Sequence, residues 1–390
     1  MHTLVRPLSV TAMMLAAACS PENGEPEQSV ENISSLTELG ERLFHDSNLS
    51  LTRNQSCASC HDPEHAFIDP RDNGVNGAVS LGDDDRSLGQ RNAPTLTYAA
   101  LTPEFEQLPD GEYRGGQFLD GRARHLRQQV NLDGGPFLNP VEMMMPDRDA
   151  VIARIRENPA YETAYRTFFG ENIFENPRSV NFPFTRIGQA IAAFEQTDGF
   201  STFDSRYDRH LRGESELSRE QARGLSLFEQ HCSDCHSAAG VHDSSRETFS
   251  DYRYYNIGVP INRTLREARG DDQPDPGLLG NAAVDDERHA GKFRTPGLRN
   301  VAVTGPYMHN GVFSTLRAAI KLHLHRGAGK QSVFPLNPET GQPWETTDYP
   351  VTVARAALAR TGDLSSNDID ALIRFMESLT DERYEHLLHD

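Results

Sequence analysis

Apolar positions along this chain gather into a few helical patterns separated by long polar stretches. Leu39 and Gly40 are followed by Leu43 and Phe44, and much later Gly224 and Leu225 by Leu227 and Phe228. In both places the three- and four-residue spacing predicts a helix, and each helix runs towards a pair of cysteines. Helical periodicity recurs over 150–169 and 184–194. The strongest pattern is LSSNDIDALIRFMESL, where Ser365 or Ser366 is placed to cap the helix. Its residues Ile369, Leu372, Ile373, Met376 and Leu379 fall on one face. Strand-like alternation is short and sparse. The stretches 69–91, 262–290 and 327–350 are rich in Gly, Pro, Asp and Asn, which predicts surface loops. The expected class is mostly α.

The first residues follow a different rule. Arg6 precedes a mostly apolar run from Leu8 to Ala18 that ends in three alanines and Cys19. A charged start, a short apolar run and small residues make the layout of a secretory signal peptide over 1–18. Eleven residues are too few to span a bilayer as a helix. LAAAC resembles the lipobox of bacterial lipoproteins, which implies a lipidated Cys19, membrane attachment through it and a periplasmic location. Ala16 stands where that motif usually has a larger aliphatic residue, so ordinary cleavage after Ala18 stays open. Residues 19–34, rich in Pro, Glu, Asn and Ser, then read as a flexible tether. At 390 residues the chain has room for two domains beyond these appendages. Its formal charge of -19, with no Lys/Arg-rich run, excludes a nucleic-acid footprint.

Four of the five cysteines form two identical patterns. Cys57, Cys60 and His61 lie in CASCH; Cys232, Cys235 and His236 lie in CSDCH. C-x-x-C-H attaches haem c: two thiols on one turn add to the haem vinyl groups, and the next residue offers an imidazole to the iron. A zinc site made from the two C-x-x-C pairs would leave the identically placed histidines without a purpose. A thioredoxin-like pair would need a βαβ setting that the pattern lacks. Two covalently bound haems c are therefore expected, His61 and His236 being their proximal ligands. The two motifs, each preceded by a similar helix, imply two cytochrome c-like haem lobes with long connecting loops, over 35–205 and 206–390.

With those motifs in view, the sequence resembles the bacterial di-haem cytochrome c peroxidases and their MauG-type relatives. The likeness runs from Leu36 to Arg383. It rests on LGERLFHD, CASCHDPEHAF, QRNAPTL, FLDGR, GPFLNPVEM, LFEQHCSDCH, YYNIGVP, KFRTPGLRNVAVTGPYMHNG and the terminal helix, in the family's order. The resemblance implies that the N-terminal haem reacts with hydrogen peroxide. The C-terminal haem would then receive electrons from a small donor cytochrome c or copper protein. Glu142 matches the family's distal carboxylate, which moves a proton between the peroxide oxygens. Gln129 and Pro136 precede it, with three more residues between Gln129 and Glu142 than is usual. The stretch GDDDRSLGQRN offers no distal histidine, which implies an open iron face as in MauG-type members.

Further site residues follow from the same resemblance. The sixth ligand of the C-terminal haem lies fourteen positions beyond His309, at His323, with His325 and Met308 as rivals. Asn92, Thr304 and Pro306 match positions that bind calcium between the haems. Leu119 stands where relatives have an inter-haem tryptophan; Trp344, the only tryptophan, is assigned to packing. Two activities are implied: peroxide reduction to water, or MauG-like oxidation of residues on a partner protein.

Overall fold

The computed structural model describes Met1 and residues 32–175, 179–237 and 246–389. The signal-peptide and Cys19 assignments, and nearly all of the tether, lie outside the described residues. Seven helices organise the described part: α1 (Leu36–His45), α2 (Arg148–Glu157), α3 (Pro159–Phe169), α4 (Asn181–Glu195), α5 (Arg219–His231), α6 (Leu316–Ala328) and α7 (Ser366–Glu377). Shorter helical turns and four two-residue strands fill the rest. The strands β1 (Glu106–Gln107) and β2 (Tyr113–Arg114) pair antiparallel, as do β3 (Tyr254–Tyr255) and β4 (Phe293–Arg294). The fold is mostly α, as the pattern predicts. Among the described residues no helix is long and apolar enough to cross a membrane.

Two helix pairs form the framework, and both use the same device. In α1 the buried face is Leu39, Gly40, Leu43 and Phe44. A β-carbon on Gly40 would lie 2.0 Å from the Ala190 carbonyl oxygen of α4. In α5 a β-carbon on Gly224 would lie 2.0 Å from the Ala371 carbonyl oxygen of α7. Only glycine lets the two backbones touch in this way. Phe194 and Phe375 close over the respective glycines. The first pair belongs to a core drawn from residues 33–200 and the second to a core drawn from residues 228–379.

Helix ends follow local chemistry. Ser365 caps α7 in a reciprocal box with Asp368, each side chain accepting from the other's main-chain N–H. Ile369, Leu372, Phe375 and Met376 are buried beneath it, while Ile373 is half-buried. The predicted helix over 150–169 is two helices. Asn158 ends α2, and its side chain accepts from Ala160 N–H to start α3, with Pro159 in the first position where its missing donor costs nothing. The stretch 262–290 is not all loop. Asn262 caps a helix over Arg263–Arg269 and Gly270 ends it in the left-handed region, so the punctuating residues bracket a helix there.

Candidate functional site

The C-terminal pair of helices delivers the second cysteine motif to a cavity of about 320 Å³. Cys232 ends α5, and His236 N–H closes the turn onto the Cys232 carbonyl at 2.9 Å. The ring Nδ1 of His236 lies 3.1 Å from the Phe249 carbonyl oxygen. Across the cavity His323, on α6, places its Nδ1 2.8 Å from the Ala319 carbonyl oxygen of its own preceding turn. With each Nδ1 engaged by a carbonyl, each ring keeps Nε2 for a metal. Burial, with His323 adding to it, holds His236 down to about 4, and burial lowers His323 as well. Burial thus favours the neutral form of both rings, the form that binds iron.

The thiols Cys232 and Cys235 are pushed up to about 12 and about 11 by burial, and neither is in a disulfide. Leu298, Leu324, Leu372 and Met376 supply apolar wall. A void this large and apolar is no water site, and its two thiols with the His236 and His323 imidazoles fit a porphyrin. Met308 also borders the cavity, whereas His325 does not. His325 stacks on Trp344 instead, centroids 5.5 Å apart, and the indole N–H donates to the Phe334 carbonyl at 2.8 Å. Trp344 packs with Val259, Phe313 and Leu322, so its setting is a core on the helix that carries His323.

The N-terminal motif repeats the proximal arrangement. His61 N–H closes onto the Cys57 carbonyl at 3.0 Å, and His61 Nδ1 lies 3.1 Å from the Phe67 carbonyl oxygen. Phe67 and Phe249 both stand in the left-handed region, at φ 56° and 59°, which turns each carbonyl back onto its histidine. Phe67 is fixed by stacking on Phe200 at 4.2 Å. Cys57 is pushed up to about 12, by burial first and then by the nearby Glu195. Gln55 donates to Cys60 Sγ at 3.1 Å.

Glu142 comes into this site from the turn-rich segment 132–145. Within it Gly135 N–H donates to the Leu132 carbonyl and Asn139 N–H to the Gly135 carbonyl, both at 3.0 Å. Asn139 Nδ2 donates to Glu142 Oε1 at 2.5 Å. Burial raises the Glu142 carboxyl, with the Arg122 charge and the Asn139 bond pulling the other way. Its charge raises both Cys57 and Cys60, which places it within electrostatic reach of the motif. The Gln129 side chain forms no hydrogen bond among the described residues, so nothing in the geometry joins it to Glu142. Two groups here escaped the sequence reading. Arg122, paired with Asp120 at 2.8 Å and stacked on Phe118 at 3.6 Å, was visible only as the last letter of FLDGR. Glu195, a carboxyl pushed up to about 8 by burial, was signalled only by an acid closing the apolar run AIAAF.

Between the motifs, Leu119 borders the C-terminal cavity together with Phe293 and His309. Phe293 and His309 stack at 3.7 Å with their planes 12° apart, and the His309 carbonyl accepts from Asn92 N–H at 2.8 Å. Asn92, Thr304 and Pro306 border the same cavity. Asn92 Nδ2 donates to the Ala78 carbonyl at 3.2 Å.

Comparison with known proteins adds the following. The family model for di-haem cytochrome c peroxidases matches residues 34–216. The chain is 45% identical to methylamine utilization protein MauG of Paracoccus denitrificans, over 98% of this chain and 97% of that one. It is 30% identical to the cytochrome c551 peroxidase of Nitrosomonas europaea, over 84% of this chain and 86% of that protein. The crystal structure of the diheme peroxidase BthA from Burkholderia thailandensis superposes with a TM-score of 0.75 at 31% identity, covering 91% of this chain and 88% of that one.

Proposed function

Since the chain belongs to the di-haem cytochrome c peroxidase family, carrying two covalently bound haems c, we propose that it reduces hydrogen peroxide to water at the His61 haem. Electrons enter from a small donor protein at the His236 haem. A haem held by Cys57, Cys60 and His61 would supply the redox chemistry. The polypeptide supplies position and protons. Phe67 and Phe249 hold the proximal rings in one tautomer. Glu142 accepts the proton of one peroxide oxygen and returns it to the other, so that water rather than hydroxide leaves. Asn139 aims its carboxyl, and the Arg122 charge offsets the effect of burial and keeps it able to ionise. His323, with its Nδ1 held by the Ala319 carbonyl, would offer a second imidazole to the C-terminal haem and so keep that haem to electron transfer. Calcium at Asn92, Thr304 and Pro306 would join the two lobes through oxygen ligands.

The observation that carries this reading is Glu142 held by Asn139 within electrostatic reach of Cys57 and Cys60. A second reading, oxidation of residues on a partner protein, is favoured by the full-length likeness to MauG. Steady-state peroxide consumption separates them. Rapid turnover with a reduced small cytochrome supports the first, and consumption only in the presence of a partner protein supports the second. Indifference of both haem spectra to peroxide would overturn both.

A further inference from the structure

Two tyrosines border the cavity of the C-terminal haem, Tyr255 and Tyr307. They differ in what receives their phenolic hydrogen. Tyr307 donates to the Val301 main-chain carbonyl at 3.0 Å, a group that does not take up a proton. Tyr255 donates to Asp251 Oδ2 at 2.9 Å, a carboxylate that does. Asp251 is fixed in place: its N–H donates to the Cys235 carbonyl at 2.8 Å, and its Oδ1 accepts from Arg253 N–H at 2.9 Å. The pair therefore sits against the second cysteine of the haem motif. Tyr255 is half-buried and faces Phe293 across the β3–β4 pairing, so it touches both the haem cavity and the outside.

A phenol gives up an electron readily only when its proton leaves at the same time, because the oxidised phenol is a strong acid while the phenol itself holds its proton to about pH 10. Asp251 meets that requirement, and among the described residues nothing bonded to the Tyr307 hydroxyl does. We propose that Tyr255 and Asp251 form a proton-coupled one-electron redox site at the edge of the C-terminal haem, holding an oxidising equivalent where a one-electron donor can reach it. The proposal rests on the peroxide chemistry above for its physiological oxidant. In the step, one electron passes from the Tyr255 ring to the oxidised haem, the phenolic O–H breaks, and the proton moves to Asp251 Oδ2. The products are a neutral tyrosyl radical and a protonated aspartate. An electron from the donor and return of the same proton restore both groups, and two such cycles deliver the two electrons that one peroxide consumes.

Electron paramagnetic resonance on the full-length, haem-loaded protein tests this in two arms without added donor. One arm mixes the protein with hydrogen peroxide and freezes it rapidly. The other oxidises the haem by flash-quench with a ruthenium photo-oxidant, which needs no peroxide chemistry. Each preparation is first shown by its absorbance to hold both haems. The expected result in the flash-quench arm is a tyrosyl signal that narrows with ring-deuterated tyrosine. It should be lost in Tyr255→Phe and Asp251→Asn and kept in Tyr307→Phe. No radical in the wild type, or one that survives in Tyr255→Phe, would overturn the proposal. A radical from the flash that peroxide does not produce would uphold the redox site and reject the peroxide reading instead.

Discussion

Replacing Glu195 by Gln should stabilise the folded protein, and by more at each step as the pH rises from 5 to 8. The carboxyl closes α4 with only 6% of its surface exposed, and burial alone pushes its pKa from 4.5 up to about 8. An unfolded chain releases this proton near pH 4.5, whereas the folded chain keeps it until about pH 8. The folded state therefore binds more protons throughout that window. The favourable part of burying a neutral acid is complete below pH 4.5 and is lost as pH climbs towards 8. At about 1.4 kcal/mol per pH unit, the loss is roughly 1 kcal/mol at pH 5, about 3 kcal/mol at pH 7 and about 5 kcal/mol above pH 8. Glutamine has the same shape and no proton to release, so Glu195→Gln removes the slope. Its own amide pairing adds an offset that does not vary with pH. Denaturant unfolding of haem-loaded wild type and variant at several pH values gives the difference directly. A difference that stays flat between pH 5 and 8, or that shrinks with rising pH, would refute the reasoning.

Other perturbations probe the two sites and their frame. Glu142→Gln should lower peroxide turnover by about 100-fold while leaving the absorbance of both haems intact; unchanged turnover removes Glu142 from the chemistry. Because burial raises the Glu142 carboxyl and the Arg122 charge opposes that rise, Arg122→Leu should raise the pKa further and move the acid limb of the kcat/KM profile to higher pH. His323→Ala should turn the C-terminal haem from low to high spin, and His325→Ala should leave its spectrum unchanged; a sulfur–iron band in the wild type would point to Met308. Gly224→Ala should cost about 1–3 kcal/mol or more by denaturant unfolding, because the new methyl group meets the Ala371 carbonyl, a backbone atom that cannot swing aside.

What was legible in the amino-acid order is what is local. Two thiols and an imidazole on one turn need no tertiary information, so CASCH and CSDCH declare their chemistry by spacing. The amphipathic faces of α1, α5 and α7 are equally local, and Ser365 caps where its hydroxyl and Asp368 can reach each other. Pro159 shows the limit: periodicity runs straight through it, and the break between α2 and α3 depends on Asn158 serving two helices at once. His323 was reached by counting from His309 along the family pattern, and only the fold shows that it borders the cavity while His325 stacks on Trp344. Arg122 matters through Glu142 further along the chain, Glu195 through burial, and the Tyr255–Asp251 pair through distant Cys235 and Phe293. No window of residues displays burial of that kind. Gln129 is a position that matches a pattern while its side chain makes no hydrogen bond among the described residues.

The carbonyls of Phe67 and Phe249 stand at the same 3.1 Å from the two proximal rings. The hydrogen bond behind each proximal ring is thus matched in both halves. On the proposed function, contrast in potential or reactivity is then expected mainly from the faces opposite, where Glu142 would serve one centre and His323 the other. A duplicated scaffold with interchangeable backs leaves specialisation to a handful of side chains in front, and exchanging those alone should exchange the duties of the two halves.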